Sequence, residues 1–252
     1  MTAAAKPSVG IAYLISCEHG GNRIPPPYRA LFRSAHRLLA SHRGYDVGAL
    51  VMARALSRAL DARLIAATVS RLLIELNRSP GNPRLYSAVM RQASKEARNA
   101  VYNRYYVPYR TKVETAIARA CTSDQHVLHL SSHSFTPELD GVVRTADVGL
   151  LYDAGRESEA LLCARWQAAL TARAPGLRVR RNYPYNGASD GLTTYLRGRF
   201  SGRLYSGIEL EVNQRYPLGD ALVWRRLRAS IIAALRDALA QWERQDAPSL
   251  LW

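Results

Sequence analysis

Short apolar runs alternate along this sequence with longer segments in which apolar residues recur at helical spacing. The runs have the length of buried strands and stop at Gly, Pro or Asn. They cover residues 9–17, 63–68, 72–76, 126–132, 148–152, 177–181 and 205–212. Helical spacing covers residues 28–39, 46–60, 94–120, 157–173 and 222–243, with a short helix ending at 199. Strands separated by helices predict an α/β fold with a mixed, mainly parallel sheet flanked by helices on both faces.

The length and composition fit one globular unit. The chain has 252 residues, of which 48% are hydrophobic, and about 250 residues suit a single large α/β domain. No repeat, low-complexity tract or linker divides it. We therefore expect one hydrolytic domain over residues 1–252, with residues 1–8 as a loose N-terminal tail.

The sequence also bears on compartment. Its first ten residues lack the apolar run of a secretory signal, and no segment approaches the roughly 20 apolar residues of a membrane span. Cys17, Cys121 and Cys163 are odd in number and never form a Cys-x-x-Cys pair, which argues against a disulfide framework or a thiolate zinc site. These features predict a soluble cytoplasmic protein that has no membrane partner.

The chain is strongly basic, with a formal net charge of +15. Three of the 35 basic residues are lysines and the other 32 are arginines, scattered through nearly every segment. Binding of nucleic acid through bulk charge would need a clustered stripe with interleaved aromatic residues, so a nucleic-acid partner is not expected. A positive field does raise the association rate of small anions, which leaves a small anionic substrate as the expected partner.

Histidines follow two of the predicted strands directly. His19 comes after the first run and precedes Gly20 and Gly21, which let the backbone turn sharply. His133 follows the run at 126–132. Ligands bind beyond the carboxyl ends of parallel strands, and neutral imidazoles suit Zn²⁺. The two rings therefore predict a zinc site, although a histidine at a strand end can equally be a hydrogen-bonded structural residue.

Charged residues suited to proton transfer and substrate binding also lie at predicted strand ends. Glu209 and Glu211 share one face of a strand, and a carboxylate close to an activated water can move a proton. Arg78 follows Asn77 ahead of a Pro-Gly turn, and a guanidinium there matches the carboxylate of an acidic substrate. Arg144, in the connection after the second histidine, is a further candidate.

Six segments, taken in chain order, resemble the N-formylglutamate amidohydrolase family. The resemblance spans most of the chain, so it is more specific than any single motif. It implies an α/β fold of the zinc-exopeptidase, phosphorylase/hydrolase-like type, and hydrolysis of N-formyl-L-glutamate to formate and L-glutamate in histidine breakdown. The segments read CEHGGNRIP from Cys17, YDVGA from Tyr45, SRLLIELNRSPGN from Ser70, SSHSFTP from Ser131, NYPYNGASDG from Asn182 and IELEVNQRY from Ile208.

The resemblance also implies roles for single residues. In the implied mechanism, Zn²⁺ or another divalent transition metal activates a water that attacks the formyl carbonyl. A glutamate carries the proton from the water to the departing nitrogen, and arginines hold the substrate's carboxylates. The roles fall on His19 and His133 as metal ligands, Asn77, Arg78 and Arg144 as substrate contacts, and Glu211 as general base, with Glu209 as the fallback.

The third metal ligand stays open at this point. Asn22 stands three residues after His19, where the wider group of zinc peptidases has a carboxylate ligand. Asp46, Glu18 and Asn22 are the candidates. We favour Asp46 because a carboxylate is a better ligand for zinc than an amide oxygen.

Three functions are consistent with these residues. The first is a zinc-dependent amidohydrolase acting on N-formyl-L-glutamate or a related N-acyl acidic amino acid. The second keeps the zinc site but acts on a different N-acyl or peptide substrate, because a fold and a metal do not determine the pocket. The third is a non-enzymatic, arginine-rich module that binds anions or nucleic acid. The sequence gives no indication of the oligomeric state.

Overall fold

The computed structural model describes residues 10–123 and 125–245, and its centre is a six-stranded sheet in the order β2-β1-β3-β8-β6-β7. Strands β4 and β5 pair separately as a short antiparallel hairpin. The strands are β1 Ile11–Cys17, β2 Arg63–Ala66, β3 His126–Phe135, β4 Glu138–Leu139, β5 Val142–Val143, β6 Val148–Leu151, β7 Val179–Arg181 and β8 Tyr205–Asn213.

Strand direction divides the sheet into two parts. Strands β2, β1, β3 and β8 are mutually parallel, so their carboxyl ends meet at one edge. Strand β6 runs antiparallel to β8, and β7 is parallel to β6. The predicted mixed, mainly parallel sheet is therefore confirmed, and the shared edge of β1, β3 and β8 is where ligands are expected to bind.

Helices cover both faces of this sheet. One face packs against α2, α6 and α8, and the other against α5 and α7. The helices are α1 His36–Leu39, α2 Ala49–Ala59, α3 Ala88–Arg91, α4 Lys95–Val101, α5 Val107–Cys121, α6 Glu157–Arg173, α7 Leu192–Arg199 and α8 Ala221–Gln245, with a 3₁₀ helix at Pro26–Phe32 and a π-helical turn at Tyr102–Tyr106.

Alternation along the central strands decides which face carries the chemistry. In β3 and β8, even-numbered residues such as Leu130 and Leu210 pack with α2, α6 and α8. The odd-numbered residues therefore point to the opposite face. His133 and Glu211 are odd-numbered register partners on these two neighbouring strands. Both side chains consequently lie on the α5 side of the sheet, near its carboxyl edge.

Two predicted elements differ from the structure. Residues 72–76 do not form a strand: the Leu72 amide bonds to the Ser70 hydroxyl in a turn, and the Glu75 amide bonds to the carbonyl of Leu85. Their apolar character reflects burial beneath the sheet, since Leu73 is fully buried. The predicted helix at 28–39 is a 3₁₀ helix followed by the short α1, because i to i+3 hydrogen bonds close its first part.

The long helix predicted over residues 94–120 is interrupted by one wide turn. Ser94 caps its start by accepting a hydrogen bond from the Ala97 amide. The π-helical turn Tyr102–Tyr106 then joins α4 to α5 just before Pro108. Proline has no amide hydrogen and its ring clashes with the preceding turn of an α-helix, so a local widening accommodates it.

The remaining expectations concern the chain as a whole. The tail predicted at residues 1–8 lies outside the described residues, and the interpretation as one domain stays a prediction. Among helices in the described ranges, none combines the length and the apolar character that crossing a bilayer requires.

Candidate active site

Two histidines and one aspartate converge at the carboxyl edge of the sheet. His19 follows β1, Asp46 precedes α2, and His133 lies in the last part of β3. Asp46 Oδ2 is 3.2 Å from His19 Nδ1 and 2.9 Å from His133 Nδ1. One ligand atom from each residue lies within 4.8 Å of the others, and all three side chains are buried. Side chains up to 114 residues apart in the chain thus form one cluster.

Close backbone approaches place two of these residues. Gly20, next to His19, donates its amide to the carbonyl of Ala67 at 3.0 Å, and a Cβ at Gly20 would lie 2.8 Å from that oxygen. Gly48 begins α2 with φ +82°, a conformation that favours glycine. The tight turn that it allows ends the loop carrying Asp46, whose amide bonds to the His19 carbonyl at 3.0 Å.

The far nitrogen of each imidazole is held by a second carboxylate. His19 Nε2 bonds to Glu75 Oε1, and His133 Nε2 lies 2.9 Å from Glu18 Oε2. Glu18 is completely buried and also accepts hydrogen bonds from the Ser131 hydroxyl at 2.5 Å and the Tyr109 hydroxyl at 2.7 Å. Each ring is therefore oriented with Nδ1 towards Asp46 and Nε2 towards an outer glutamate.

The charges of the cluster favour ionised groups. Burial alone would lower the pKa of His133, but hydrogen bonds to Asp46 and Glu18 raise it well above its ordinary value. Burial would likewise raise the pKa of Asp46 and Glu18, yet the neighbouring histidines hold both far below the usual carboxyl range. At neutral pH the Asp46 carboxylate on the pocket floor is consequently ionised, and a cation bound there would take the place of the protons on the imidazole nitrogens that face Asp46.

The donor set suits a divalent transition metal. Ligands at 2.0–2.1 Å from a tetrahedral ion are about 3.3 Å apart, close to the two distances that join Asp46 Oδ2 to the imidazole nitrogens. Imidazoles that bind a metal generally donate their other N–H to a carboxylate, as Glu75 and Glu18 allow here. His19, Asp46 and His133 therefore form a possible metal site.

Glu211 stands next to this cluster with an uncommitted oxygen. Its Oε2 is buried and has no hydrogen-bond partner among the described residues. Burial, together with the nearby Asp46 and Glu209, raises the pKa of Glu211 to about 8 although His133 opposes the shift. Glu209, two residues earlier, accepts a 2.7 Å hydrogen bond from the Thr193 hydroxyl. Glu209 thus has Oε1 engaged in a hydrogen bond, whereas the structure shows no hydrogen bond to the buried Oε2 of Glu211 from any residue that it describes.

A pocket of about 530 Å³ opens above these residues. Its walls include the cluster, both strand glutamates, Asn77 and Arg78. The Asn77 side-chain oxygen, Oδ1, accepts a 2.6 Å hydrogen bond from the Leu192 amide at the start of α7. This bond fixes the orientation of the Asn77 amide and leaves its NH₂ group as the donor for another partner.

Three sequence-predicted residues lie elsewhere or in other roles. Asn22 is exposed, donates its side-chain amide to the Leu39 carbonyl and lines a separate surface pocket, so it lies outside the cluster of His19, Asp46 and His133. Glu18 contacts His133 Nε2, on the side of the ring that faces away from Asp46. Arg144 is not among the described residues that line the main pocket. It donates a 2.9 Å hydrogen bond to the Tyr185 hydroxyl and stacks on that ring, which places a tyrosine between Arg144 and the pocket.

The sequence interpretation assigned no role to Arg71 or Glu75, which the structure places in the site. Arg71 bridges Asp46 Oδ1 at 3.2 Å and Glu75 Oε2 at 2.6 Å, and its guanidinium lines the pocket. The two charges flank a buried apolar stretch. Charged residues at the ends of such a stretch need partners. This pattern in the sequence could therefore have indicated that Arg71 and Glu75 are paired.

Comparison with known proteins assigns the family. The sequence profile described as N-formylglutamate amidohydrolase matches residues 11–216, which is most of the chain. The chain belongs to the N-formylglutamate amidohydrolase family. It is thus a member of a family of amidohydrolases. The search among curated proteins found no match.

Two solved structures resemble this N-formylglutamate amidohydrolase family member. Gene product Atu2144 from Agrobacterium tumefaciens has a TM-score of 0.78 and 28% identity, with 92% of this chain and 91% of that chain covered. N-formylglutamate amidohydrolase from Ralstonia eutropha JMP134 has a TM-score of 0.66 and 21% identity, covering 94% and 97%. The similarity to the Ralstonia eutropha protein shows that the two chains share a fold.

The outer carboxylate on His133 gives a testable prediction. Glu18→Gln keeps the size of the side chain but weakens the charged hydrogen bond that orients the imidazole. We expect metal affinity to fall about 10- to 100-fold, the usual cost of losing such a partner. Competition with a chromophoric chelator measures the affinity. Glu114→Gln, outside the pocket on α5, is the control that should bind metal normally, and parental affinity in Glu18→Gln would contradict the orienting role.

Proposed function

We propose that this protein is a metal-dependent amidohydrolase that releases formate from N-formyl-L-glutamate or a related N-acyl acidic amino acid. The observation that carries the proposal is the buried cluster of His19, Asp46 and His133, which shares one pocket with Glu211. A metal site next to an uncommitted carboxylate is one arrangement that hydrolyses an amide with activated water. Membership of the family supports the reaction class.

Zinc is the proposed metal, with another divalent transition ion as the alternative. His19, Asp46 and His133 would hold it, and two imidazoles with one carboxylate is a common ligand set of catalytic zinc sites. When bound, such an ion lowers the pKa of water and polarises a carbonyl oxygen. Glu75 and Glu18 hold the two rings in place, while Arg71 holds Asp46 from the pocket side.

Glu211 is the proposed general base, and Glu209 is the fallback. A base must be ionised, and a cation bound close by would lower the pKa of Glu211 from its raised value. Its Oε2 could then accept a proton from water and return it to the departing amide nitrogen. Arg78 and the NH₂ group of Asn77 are the proposed contacts for a carboxylate of the substrate. Arg144 would act through Tyr185.

The size of the pocket favours a second candidate function. A volume of about 530 Å³ lies within the range that accommodates drug-sized ligands and exceeds the volume of a whole N-formyl-L-glutamate molecule. The same residues could then hydrolyse a larger N-acyl amino acid or a short peptide.

Formate release tests the leading proposal. The purified protein loaded with Zn²⁺ is expected to release formate from N-formyl-L-glutamate, and removal of the metal by a chelator is expected to abolish turnover until Zn²⁺ is restored. A formate dehydrogenase assay measures the product. Metal-dependent cleavage of N-acetyl-L-glutamate or a dipeptide in its place would support the second candidate. Salt-sensitive retention of DNA without bound metal would overturn both.

A further inference from the structure

Two pocket loops that are distant in sequence meet at the carboxylate of Asp190. The first loop holds residues 77–82, and the second connects β7 to α7 and ends at Gly191. Asp190 accepts hydrogen bonds from both the amide and the hydroxyl of Ser79, the amide lying 3.1 Å from Oδ2. The side-chain amide of Asn82 donates to the same Oδ2 at 2.6 Å. One carboxylate therefore joins the two loops across about 110 residues of sequence.

The main chain of the same residue holds Arg78. The Arg78 Nη1 donates to the carbonyl of Asp190 at 2.6 Å and to the carbonyl of Asn77 at 2.9 Å. Both acceptors are neutral carbonyls, so these bonds fix the guanidinium without neutralising it. The carboxylate of Asp190 bonds to the neutral donors of Ser79 and Asn82, and although burial opposes the shift, these bonds and the charge of Arg78 lower the pKa of this carboxyl group. Arg78 is thus held in the pocket wall as a cation that a substrate carboxylate can use.

The residues that follow Asp190 hold Asn77. The Leu192 amide bonds to the Asn77 side-chain oxygen. Gly191 lies so close that a Cβ there would be 3.2 Å from Asn77 Oδ1 and 3.3 Å from Glu209 Oε1. A shift of this segment would consequently move Asn77 and Arg78 together, and these are the two proposed substrate contacts.

We propose that Asp190 is a positioning residue for recognition of the substrate's carboxylate, an inference that rests on the proposed function. Its carboxylate sets the distance between the two loops, and its carbonyl sets the place of the Arg78 guanidinium. Asp190 does not contact the reacting atoms in this role. Its removal should therefore weaken substrate binding and leave the chemical step and the metal site largely intact.

Asp190→Asn is the first test. The asparagine oxygen can still accept a hydrogen bond from Ser79, but its NH₂ group faces the NH₂ group of Asn82. The link between the two loops therefore loses the hydrogen bond from Asn82. The KM for N-formyl-L-glutamate is expected to rise about tenfold with kcat changed less than about threefold, the pattern of binding lost equally in the ground state and the transition state. Zinc content and melting temperature should stay at parental values. Asp153→Asn is the matched control, since this half-buried aspartate caps a turn outside the pocket, and it should leave KM unchanged.

A double-mutant cycle separates positioning from general loop stability. If Asp190 acts through Arg78, adding Asp190→Asn to Arg78→Met should raise KM by less than about twofold beyond the single Arg78 variant. An undiminished tenfold effect in the Arg78→Met background would overturn the proposal. So would a fall in kcat or zinc content that equals the change in KM. Asn82→Ala, which removes one donor to Asp190, should raise KM in the same direction by a smaller factor.

The parental protein distinguishes this inference from the proposed function. If it releases no formate from N-formyl-L-glutamate, the proposed function fails before any variant is compared. If it does, and Asp190→Asn has the parental KM, the positioning role alone fails.

Discussion

Glu211→Gln is expected to lower kcat by about 100- to 10,000-fold while the protein keeps its metal, since general acid-base catalysis contributes on that scale. Glutamine matches glutamate in size but cannot accept and return a proton. The buried Oε2 of Glu211 has no partner among the described residues, so the substitution breaks no hydrogen bond that the structure shows. Formate release and zinc content, measured on the same preparation, test both halves of the prediction.

Glu209→Gln is the matched control for this experiment. Glu209 lies two residues earlier on the same strand face and already accepts a hydrogen bond from Thr193. We expect its substitution to cost less than about tenfold in kcat, because a carboxylate engaged in a hydrogen bond is a poorer proton acceptor. A larger loss in Glu209→Gln than in Glu211→Gln would identify Glu209 as the base. Parental turnover in Glu211→Gln would exclude Glu211.

His133→Ala is expected to abolish metal binding together with activity. The substitution removes one of the three proposed ligands, so the loss of affinity should exceed the roughly 10- to 100-fold effect of an outer partner. It also leaves the Glu18 and Asp46 carboxylates buried without the ring that bonds to both. Zinc content after dialysis and titration with Co²⁺ measure the effect without reference to turnover.

The control for His133→Ala lies on the same strand. His129 is also fully buried on β3, where it bonds to the Ser16 hydroxyl and the Tyr205 hydroxyl, both at 2.8 Å. Burial lowers the pKa of His129 to about 4, which keeps the ring neutral at physiological pH. His129→Ala removes an equal volume, and a folded His129→Ala protein should retain its metal. Retention of stoichiometric zinc by His133→Ala would contradict the proposed ligand set.

The sequence predicted the sheet well because burial leaves a strong local signal. Strands covered on both faces read as apolar runs, as strand β6 does with four buried residues, Val-Gly-Leu-Leu. Residues 72–76 carry the same signal without being a strand, since burial favours apolar residues in any backbone conformation. An apolar run in the sequence therefore indicates that a segment is buried, but it does not show whether the segment's backbone is hydrogen-bonded in a sheet.

The site was predictable only in part, for reasons of distance along the chain. His19 and His133 could be paired because each follows an apolar run and parallel strands share an edge. Asp46 was favoured for its ligand chemistry, and the structure brings it between the two rings. The place of Asn22 and the bridge made by Arg71 depend on how loops pack against each other, which neither periodicity nor local spacing encodes.

Glu18 and His19 are consecutive in sequence, yet they serve different imidazoles: His19 offers its own ring, and Glu18 supports the ring of His133. A single peptide bond thus sets the spacing between the proposed ligand His19 and Glu18, the carboxylate that orients His133. An insertion or deletion between these two positions would disturb both halves of the centre at once, whereas length changes at the exposed hairpin tip, residues 140–143, would disturb neither. Tolerance to indels should therefore be lowest at this dipeptide.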